Sequence, residues 1–386
     1  MLKIQSKMFC AKEVQDFFYI NDTGNLCINV MALTNNKVLE VNIIMSSELI
    51  LIVVIVTALI FTLTNGLHDA SSVVATFISC GAANPIQATC LAAIFGFIGA
   101  VTSGDAVANT VSAIVMMPTD AALLNVLLAG MIGAVIWNIV TWKFGLPSSS
   151  THALVGGIVG AVWVAHGANF ILWGWSELLN THHQLIGIAK IIAALLLSPL
   201  LGFVVAFFLQ TVANILLRDA NFTINTGIKK IQWIIAALLA YSHGANDTQK
   251  IVGILSLALA AGRYPFGPIA PVWISSLCGI VMFVGTLLGG WSIMKTIGRG
   301  IYAIRPIHSL NSQLSSGGSI ILATIFGAPV STTHVVVGSV AGAGSADEFR
   351  MVNWKIGKEI MIAWCITIPA SAIVAAIAYY IVRYIA

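Results

Sequence analysis

Long apolar segments follow one another along most of the chain, separated by short polar or glycine-rich stretches. A helix needs about 20 apolar residues to cross the hydrocarbon core of a bilayer. Seven segments approach or exceed that length, and each is predicted to be a membrane-spanning helix. They are Leu49–Gly66, Ile86–Thr102, Ala121–Trp142, Ile186–Leu217, Ile231–Leu259, Pro271–Trp291 and Ile360–Val382.

Four shorter apolar stretches are interrupted by glycine or polar residues and are too short for a simple crossing. They suit half-helices or re-entrant segments, which a membrane tolerates only where they face protein or a watery cavity. The pattern therefore predicts an all-α polytopic membrane protein with ten to twelve membrane elements and no water-soluble domain. The four stretches are Ala106–Met117, Ala153–Ala165, Ser319–Phe326 and Val335–Ala343.

Composition strengthens the membrane prediction. Only 8% of the residues are charged, 58% are hydrophobic, and the mean hydropathy is +0.95. Soluble domains are about 25% charged. An ordinary soluble enzyme and a disordered protein are excluded, and the lack of a basic stripe excludes a nucleic-acid partner. The lipid bilayer is thus the first predicted partner.

Residues 1–47 differ from the rest because they hold eight charged residues and no long apolar run. They are predicted to be an N-terminal extension outside the membrane. Two interpretations stay open: a short extramembrane tail, or translation that begins at Met45, directly before the first apolar segment. Sequencing the N-terminus of the native protein distinguishes them.

Two motifs occur twice in the same order. The segment Thr64–Asp69 resembles Ser242–Asp247, and Gly145–His152 resembles Gly327–His334. From Asp to the following Pro of the second motif, the spacing is 78 residues in the first copy and 82 in the second. Motif, order and spacing together indicate a duplication.

The duplicated halves are placed at residues 48–217 and 231–384. Paired motifs that interrupt apolar segments are typical of the binding site of a secondary transporter, formed near the middle of the membrane between two repeats. Loop charges do not decide whether the halves are inverted or parallel.

Each first motif places a carboxylate in or beside an apolar segment, at Asp69 and Asp247. A charge at the bilayer centre costs about 2.5–3.5 kcal/mol on insertion scales, so its presence is typical of a functional site. Lys250 lies three residues after Asp247, where a helix would let the two pair. Asp247 and Lys250 could form a structural ion pair, but symmetric repetition of the carboxylate favours a cation or proton site.

Each second motif places three consecutive hydroxyl residues after a proline, a pattern typical of a helix start. Free N–H groups and the positive end of the helix dipole form an anion site there without a fixed positive charge. These segments could also be merely capped helix starts, although two matching copies favour binding. The candidates are Ser149, Ser150, Thr151, Ser331, Thr332 and Thr333.

An oxyanion beside carboxylates is repelled unless a cation or proton neutralises them, which predicts obligatory symport. Phosphate is favoured over sulfate. At neutral pH phosphate still carries a proton and can donate a hydrogen bond to the Asp and Asn acceptors of the motifs, whereas sulfate has no proton to donate. His68, His152, His243 and His334 flank the motifs, either as a proton relay or as local hydrogen-bonding groups. Walker, Gly-x-Ser-x-Gly and His-Glu-x-x-His motifs are absent, so no catalytic residue, metal site or tightly bound cofactor is predicted.

The motifs resemble those of the inorganic phosphate transporter family, the Pit-type permeases, over residues 48–384. The resemblance implies two inverted repeats, a central phosphate site and symport with Na⁺ or H⁺ by alternating access. It is carried by Asn65–Asp69, His243–Lys250, Gly289-Gly290-Trp291 with Lys295-Thr296, and Pro329–His334.

The resemblance also implies roles for individual residues. It assigns the hydroxyl residues above to phosphate, and Asn65, Asp69, Asn246 and Asp247 to the coupling cation or proton, with Lys250 beside them. Asn246 is also predicted to bind phosphate. The predicted partners are inorganic phosphate, the co-transported H⁺ or Na⁺ and lipid, in a bacterial cytoplasmic membrane. Oligomeric state stays open, with a homodimer as one option.

Some residues depart from the Na⁺-coupled members, which carry Gly-Ala-Asn-Asp-x-Ala-Asn in both halves. His68 replaces the first Asn of one copy, and Ser72 and Lys250 stand where the later Asn would fall. These forms resemble the bacterial low-affinity, proton-coupled branch, which can move metal–phosphate complexes. H⁺ is therefore favoured over Na⁺. A sulfate or other oxyanion permease, an anion channel and a membrane-embedded enzyme are the alternatives.

Overall fold

The structure is a computed structural model. It describes the backbone of four N-terminal strands, and both backbone and side chains of the helical part, except the side chains of residues 299 and 385. The described helical part comprises residues 47–146, 148–180, 184–264, 270–289, 294 and 296–385.

The N-terminal extension contains an antiparallel sheet of four strands in the order β1-β4-β3-β2. Leu26 pairs with Met45 and Thr34 with Lys37, so the two long strands form one hairpin. The all-α prediction is confirmed for the membrane part, from Ser47 onward, and the sheet is an addition that apolar patterning did not predict. The strands are β1 (Lys3–Gln5), β2 (Phe18–Ile20), β3 (Leu26–Thr34) and β4 (Lys37–Met45).

Helices make up most of the remaining described chain. The first seven helices are α1 (Ser47–Ser79), α2 (Pro85–Thr102), α3 (Ala106–Ser112), α4 (Ala121–Lys143), α5 (Ser150–His166), α6 (Trp175–Leu179) and α7 (Gly187–Leu216), with a 3₁₀ turn at Ala168–Phe170. The next five are α8 (Ile224–Ala261), α9 (Val272–Leu288), α10 (Pro306–Ile325), α11 (Thr332–Glu348) and α12 (Trp354–Ile385), with a π turn at Thr296–Gly300 and a 3₁₀ turn at Phe349–Met351.

Among the described helices, five are long and apolar enough to cross a membrane, namely α1, α2, α4, α7 and α12. Leu196, Leu200 and Phe208 of α7 are more than 60% exposed, as expected for side chains that contact lipid. The protein is thus a multi-pass membrane protein.

Two predicted boundaries were wrong. The stretch Ser319–Phe326, predicted to be a short segment, is the end of the 20-residue helix α10. The first apolar run ends at Gly66, but α1 continues without interruption to Ser79. In both places the polar residues are buried against protein rather than exposed to lipid, so they do not interrupt the helix.

Packing in one half recurs in the other. A Cβ added at Gly66 of α1 would clash with backbone of α9, and one added at Gly244 of α8 would clash with backbone of α2. The same correspondence joins α5 with α12 and α11 with α7: Gly156 meets the Ile368 carbonyl, and Gly338 meets the Pro199 carbonyl. The hydroxyl-motif helix of each half therefore packs against a helix of the other half, α5 against α12 and α11 against α7. The domain boundaries at 48–217 and 231–384 stay a prediction.

Candidate functional site

The two aspartate motifs lie within long helices and meet inside the protein. Asp69 on α1 is 2% exposed and Asp247 on α8 is 1% exposed. Asn65, one helical turn before Asp69, places its Nδ2 3.4 Å from Oδ2 of Asp247. Residues four apart share a helix face, so the two halves bring their carboxylates to a common region.

The two hydroxyl motifs cap α5 and α11 in the same way. Ser149 Oγ accepts a hydrogen bond from the backbone N–H of His152 at 3.2 Å, and Ser331 Oγ accepts one from the N–H of His334 at 3.3 Å. The first N–H groups of a helix have no intrahelical partner and carry the positive end of its dipole. We call residues 149–151 the first hydroxyl tip and residues 331–333 the second.

Both tips reach the Asp69 carboxylate. Ser150 donates its hydroxyl hydrogen to Oδ2 at 2.6 Å, and Thr333 donates to Oδ1 at 2.7 Å. Ser72, one turn further along α1, lies 3.0 Å from the Thr333 hydroxyl. Residues more than 80 and 260 positions from Asp69 in the sequence thus converge on one carboxylate.

Asp247 is paired with a lysine that also touches both tip regions. Lys250 Nζ lies 2.6 Å from Asp247 Oδ1, 2.6 Å from the Thr151 hydroxyl and 2.6 Å from the Val330 carbonyl oxygen. His243 Nδ1 lies 3.3 Å from the other carboxylate oxygen. The Asp247–Lys250 ion pair expected from the sequence is therefore present. Its ammonium group also contacts Thr151 and the Val330 carbonyl, so the pair is part of the candidate site.

Asn246 contacts the segment that leads into the second tip. Its Nδ2 donates to the Thr324 hydroxyl at 2.8 Å and to the Ala328 carbonyl at 3.2 Å, and its Oδ1 accepts from the Val330 N–H at 3.2 Å. These contacts hold the second tip in position, and the phosphate-binding role of Asn246 stays a prediction. By contrast, the buried Oδ1 of Asn65 makes no hydrogen bond within the described part of the chain.

The motif histidines lie around this region. The rings of His152 and His334, the residues that follow the two tips, are 4.5 Å apart, so the first turns of α5 and α11 lie against each other. His243 Nδ1 lies 3.1 Å from the Thr332 hydroxyl, and His68 Nε2 lies 3.4 Å from that of Ser148. These contacts agree with local hydrogen bonding, and the proton relay stays a prediction.

The site is enclosed. A cavity of about 330 Å³ lies beside it, lined by residues that include Tyr241, Gln249 and Thr324, the partner of Asn246. In the described residues no three His, Cys, Asp or Glu side chains gather as a metal site. The oxygen atoms present suit a proton or a hard monovalent cation. Each predicted site residue is at most 3% exposed: Asn65, Asp69, Ser149, Ser150, Thr151, Asn246, Asp247, Lys250, Ser331, Thr332 and Thr333.

Sequence analysis assigned no role to Thr324 or to the Val330 backbone. The comparison of the two halves contains no signal for Thr324, because the register that aligns Pro147 with Pro329 places Trp142 opposite Thr324. A carbonyl group has no side-chain signature, so the contact of Val330 has no signal in the sequence either.

Comparisons with known proteins agree with this geometry. The model of a family described as "Phosphate transporter family" matches residues 65–375. A "probable low-affinity inorganic phosphate transporter" of Bacillus subtilis is 38% identical over 339 residues, covering 86% of this chain and 97% of that protein. A protein of the same description from Rhizobium meliloti is 35% identical over 333 residues, covering 86% and 96%.

One solved structure shares the fold. It is described as "The sodium-dependent phosphate transporter" and superposes with a TM-score of 0.75, covering 87% of this chain and 100% of that one. Its sequence is 24% identical, so the likeness is one of architecture.

Proposed function

The chain belongs to the phosphate transporter family, and from this membership we propose that it imports inorganic phosphate together with a cation, with protons favoured over Na⁺. It is a multi-pass membrane transporter and not an enzyme. The coupling ion, the route of the substrate and the residue roles below are parts of the proposal.

One observation carries the proposal: hydroxyl groups of both tips donate to the Asp69 carboxylate. A hydroxyl has a single hydrogen to donate. Ser150 and Thr333 therefore serve either the carboxylate or a bound phosphate. When Asp69 takes up a proton or a cation, its demand for hydrogen bonds falls, and the same hydroxyls turn to the phosphate oxygens.

Electrostatics acts in the same direction. Two like unit charges 4 Å apart repel by about 4 kcal/mol at an effective dielectric constant of 20. Phosphate beside an ionised Asp69 would lose about a thousandfold in affinity on that scale. Binding of the cation first removes this repulsion, which is the physical basis of symport. The N-terminal N–H groups of α5 and α11 then hold the anion.

Three features support protons over Na⁺. Lys250 already places a positive charge against Asp247, and His68 stands where Na⁺-coupled relatives carry an asparagine. A proton also needs no coordination shell, which suits a carboxylate enclosed by two hydroxyls. A metal–phosphate complex as the substrate is a further option that the assay below includes.

Alternating access is proposed from the matched packing of the two halves. The hydroxyl-motif helix of each half packs on the last long helix of the other half, α5 on α12 and α11 on α7. We propose that the halves are inverted repeats and that rocking at this interface opens the site to either side.

Uptake of labelled phosphate into proteoliposomes tests the proposal. An inward proton gradient should drive accumulation above equilibrium, and a Na⁺ gradient at equal pH should drive less. Sulfate and Mg²⁺–phosphate, added in turn, report on the substrate. Equilibration without accumulation under either gradient would contradict the proposal and indicate a channel, while phosphate release from an ester without flux would indicate an enzyme.

A further inference from the structure

Lys250 and Ser72 occupy equivalent places in the two halves. Ser72 lies three residues after Asp69, and Lys250 lies three residues after Asp247. Each contacts the last hydroxyl of the other half's tip: Ser72 meets Thr333 at 3.0 Å, and Lys250 meets Thr151 at 2.6 Å. The duplication thus gives two related groups of oxygen atoms. We call Asp69, Ser72 and Thr333 the first cradle, and Asp247, Thr151 and the Val330 carbonyl the second.

The second cradle surrounds the ammonium group of Lys250. A carboxylate, a hydroxyl and a backbone carbonyl each lie 2.6 Å from Nζ. The lysine is 3% exposed, so bulk solvent hardly reaches its ammonium group. A carboxylate, a hydroxyl and a carbonyl oxygen are ligands of the kind that coordinate a small monovalent cation. Here they surround the ammonium group instead.

The first cradle has the same carboxylate without a lysine. Within the part of the chain that the structure describes, no lysine or arginine forms an ion pair with Asp69, and its nearest basic atom is His68 Nδ1 at 3.5 Å. Its contacts are the neutral hydroxyls of Ser150 and Thr333. Each cradle thus pairs a carboxylate with a threonine hydroxyl from the other half's tip, and only the second also holds a fixed positive charge.

We propose that the Lys250 ammonium group is a tethered substitute for a coupling cation, which permanently fills the second cradle and leaves the first cradle as the single place for a mobile one. This inference rests on the proposed function. It implies that one cation moves with each phosphate through the first cradle. It also implies that Lys250 sets the coupling ratio without itself being transported.

Replacing the lysine tests the inference. In Lys250→Ser, the second cradle has a carboxylate, a serine hydroxyl and a threonine hydroxyl, as the first has, together with the Val330 carbonyl, and it needs a mobile cation of its own. At the cation concentration that half-saturates the wild type, labelled-phosphate uptake into proteoliposomes should fall at least tenfold and recover when the driving cation, H⁺ or Na⁺, is raised. The uptake rate should change from a first-power to a second-power dependence on cation concentration, and the reversal potential should report one more charge moved per phosphate.

Lys358→Ser, which removes an exposed lysine, is the matched control. Its uptake rate should keep the first-power dependence on cation concentration.

The reciprocal replacement gives a second arm. Ser72→Lys places an ammonium group in the first cradle, so phosphate should move down its own gradient without accumulating against it. This arm decides the matter if Lys250→Ser fails to insert. Unchanged first-power dependence in Lys250→Ser, or cation-driven accumulation by Ser72→Lys, would overturn the inference and reduce Lys250 to a structural ion pair. Absence of accumulation by the wild type would instead contradict the proposed function.

Discussion

At the scale of residues, the proposed coupling depends on single hydrogen bonds, because the hydroxyls that donate to Asp69 are also those proposed to bind phosphate. Thr333 donates to Asp69 at 2.7 Å, and its side chain is fully buried. A hydrogen bond to a charged group contributes about 1.5–3 kcal/mol. Thr333→Val keeps the volume and removes the donor, so the KM for phosphate should rise about tenfold or more.

Thr333→Ser is the matched control, because it restores the hydroxyl and loses only a methyl group. Its KM should lie within a few-fold of the wild type. Initial rates of labelled-phosphate uptake measure both variants. Equal KM values for Val and Ser at this position would show that the hydroxyl does not take part in binding.

Asp247 gives a second prediction at this scale. Asp247→Asn leaves the buried Lys250 ammonium group without its carboxylate partner, and such a loss costs about 3–5 kcal/mol. The second cradle then no longer forms, and concentrative phosphate uptake should be abolished while the protein remains in the membrane. Uptake assays with quantification of the inserted protein check this. Full uptake by the variant would refute the role given to Asp247.

The identities of the charged and hydroxyl residues could be predicted from the sequence because a carboxylate in an apolar segment is costly and its repetition is informative. The contact of Lys250 with the Val330 carbonyl could not, because backbone groups look alike in a sequence. The prediction for Asn246 illustrates the same limit. Its residue type suggests a ligand, whereas its three contacts depend on where the segment before α11 lies.

At the scale of elements, close helix contacts position the motifs. A Cβ added at Gly244 of α8 would fall well inside van der Waals distance of the Gly96 carbonyl of α2. Gly244→Ala should therefore force α8 and α2 apart and cost about 1–3 kcal/mol, the usual cost of overpacking. Thermal unfolding in detergent should show a lower midpoint, with reduced phosphate uptake.

Gly227→Ala is the control on the same helix. No atom lies within 4 Å of a Cβ added at Gly227, and alanine is a better helix former by about 1 kcal/mol. Its unfolding midpoint should be unchanged or higher. If Gly244→Ala unfolds at the temperature of Gly227→Ala, the close crossing of α8 and α2 does not limit stability.

The far end of α11 is held by a polar network around Asp347. Its carboxylate accepts hydrogen bonds from Asn214 at 2.8 Å and Gln210 at 3.2 Å on α7, contacts His308 Nε2 at 2.8 Å and pairs with Arg305. Asp347→Ala leaves several of these donors without an acceptor and should destabilise the protein by about 1–3 kcal/mol. Glu348→Ala, at the exposed neighbouring position, should not. Equal unfolding midpoints for both variants would contradict this role of the network.

The long apolar helices could be predicted because lipid selects for continuous apolar sequence. The first half of α10 could not, because its serines, Asn311 and Gln313 are buried against other helices. Gln313, for example, donates to Thr76 of α1 at 3.1 Å, and Ser315 donates to the Gly202 carbonyl of α7 at 2.8 Å. A polar face buried against protein has the same composition as an exposed loop.

At the scale of the whole molecule, two halves of like sequence join so that each completes the environment of the other. The sequence is sufficient to predict the duplication, because motifs and spacing recur. The exchange of partners, with α12 on α5 and α7 on α11, depends on glycine contacts between segments about 140–220 residues apart, and no periodicity reports such contacts. The N-terminal sheet likewise arises from β pairing in a stretch without strong apolar alternation.

Cation-dependent phosphate binding is the central claim, and equilibrium binding of labelled phosphate to purified protein tests it most directly. Phosphate affinity is measured at low and high concentration of the coupling cation, for the wild type and for Asp69→Asn, whose amide cannot ionise. Because both proteins meet the same phosphate ions at each pH, the ionisation of phosphate cancels in the comparison. We predict at least a tenfold increase in wild-type affinity as the cation concentration rises, and no such increase in Asp69→Asn. Equal cation dependence in the two proteins would contradict the account.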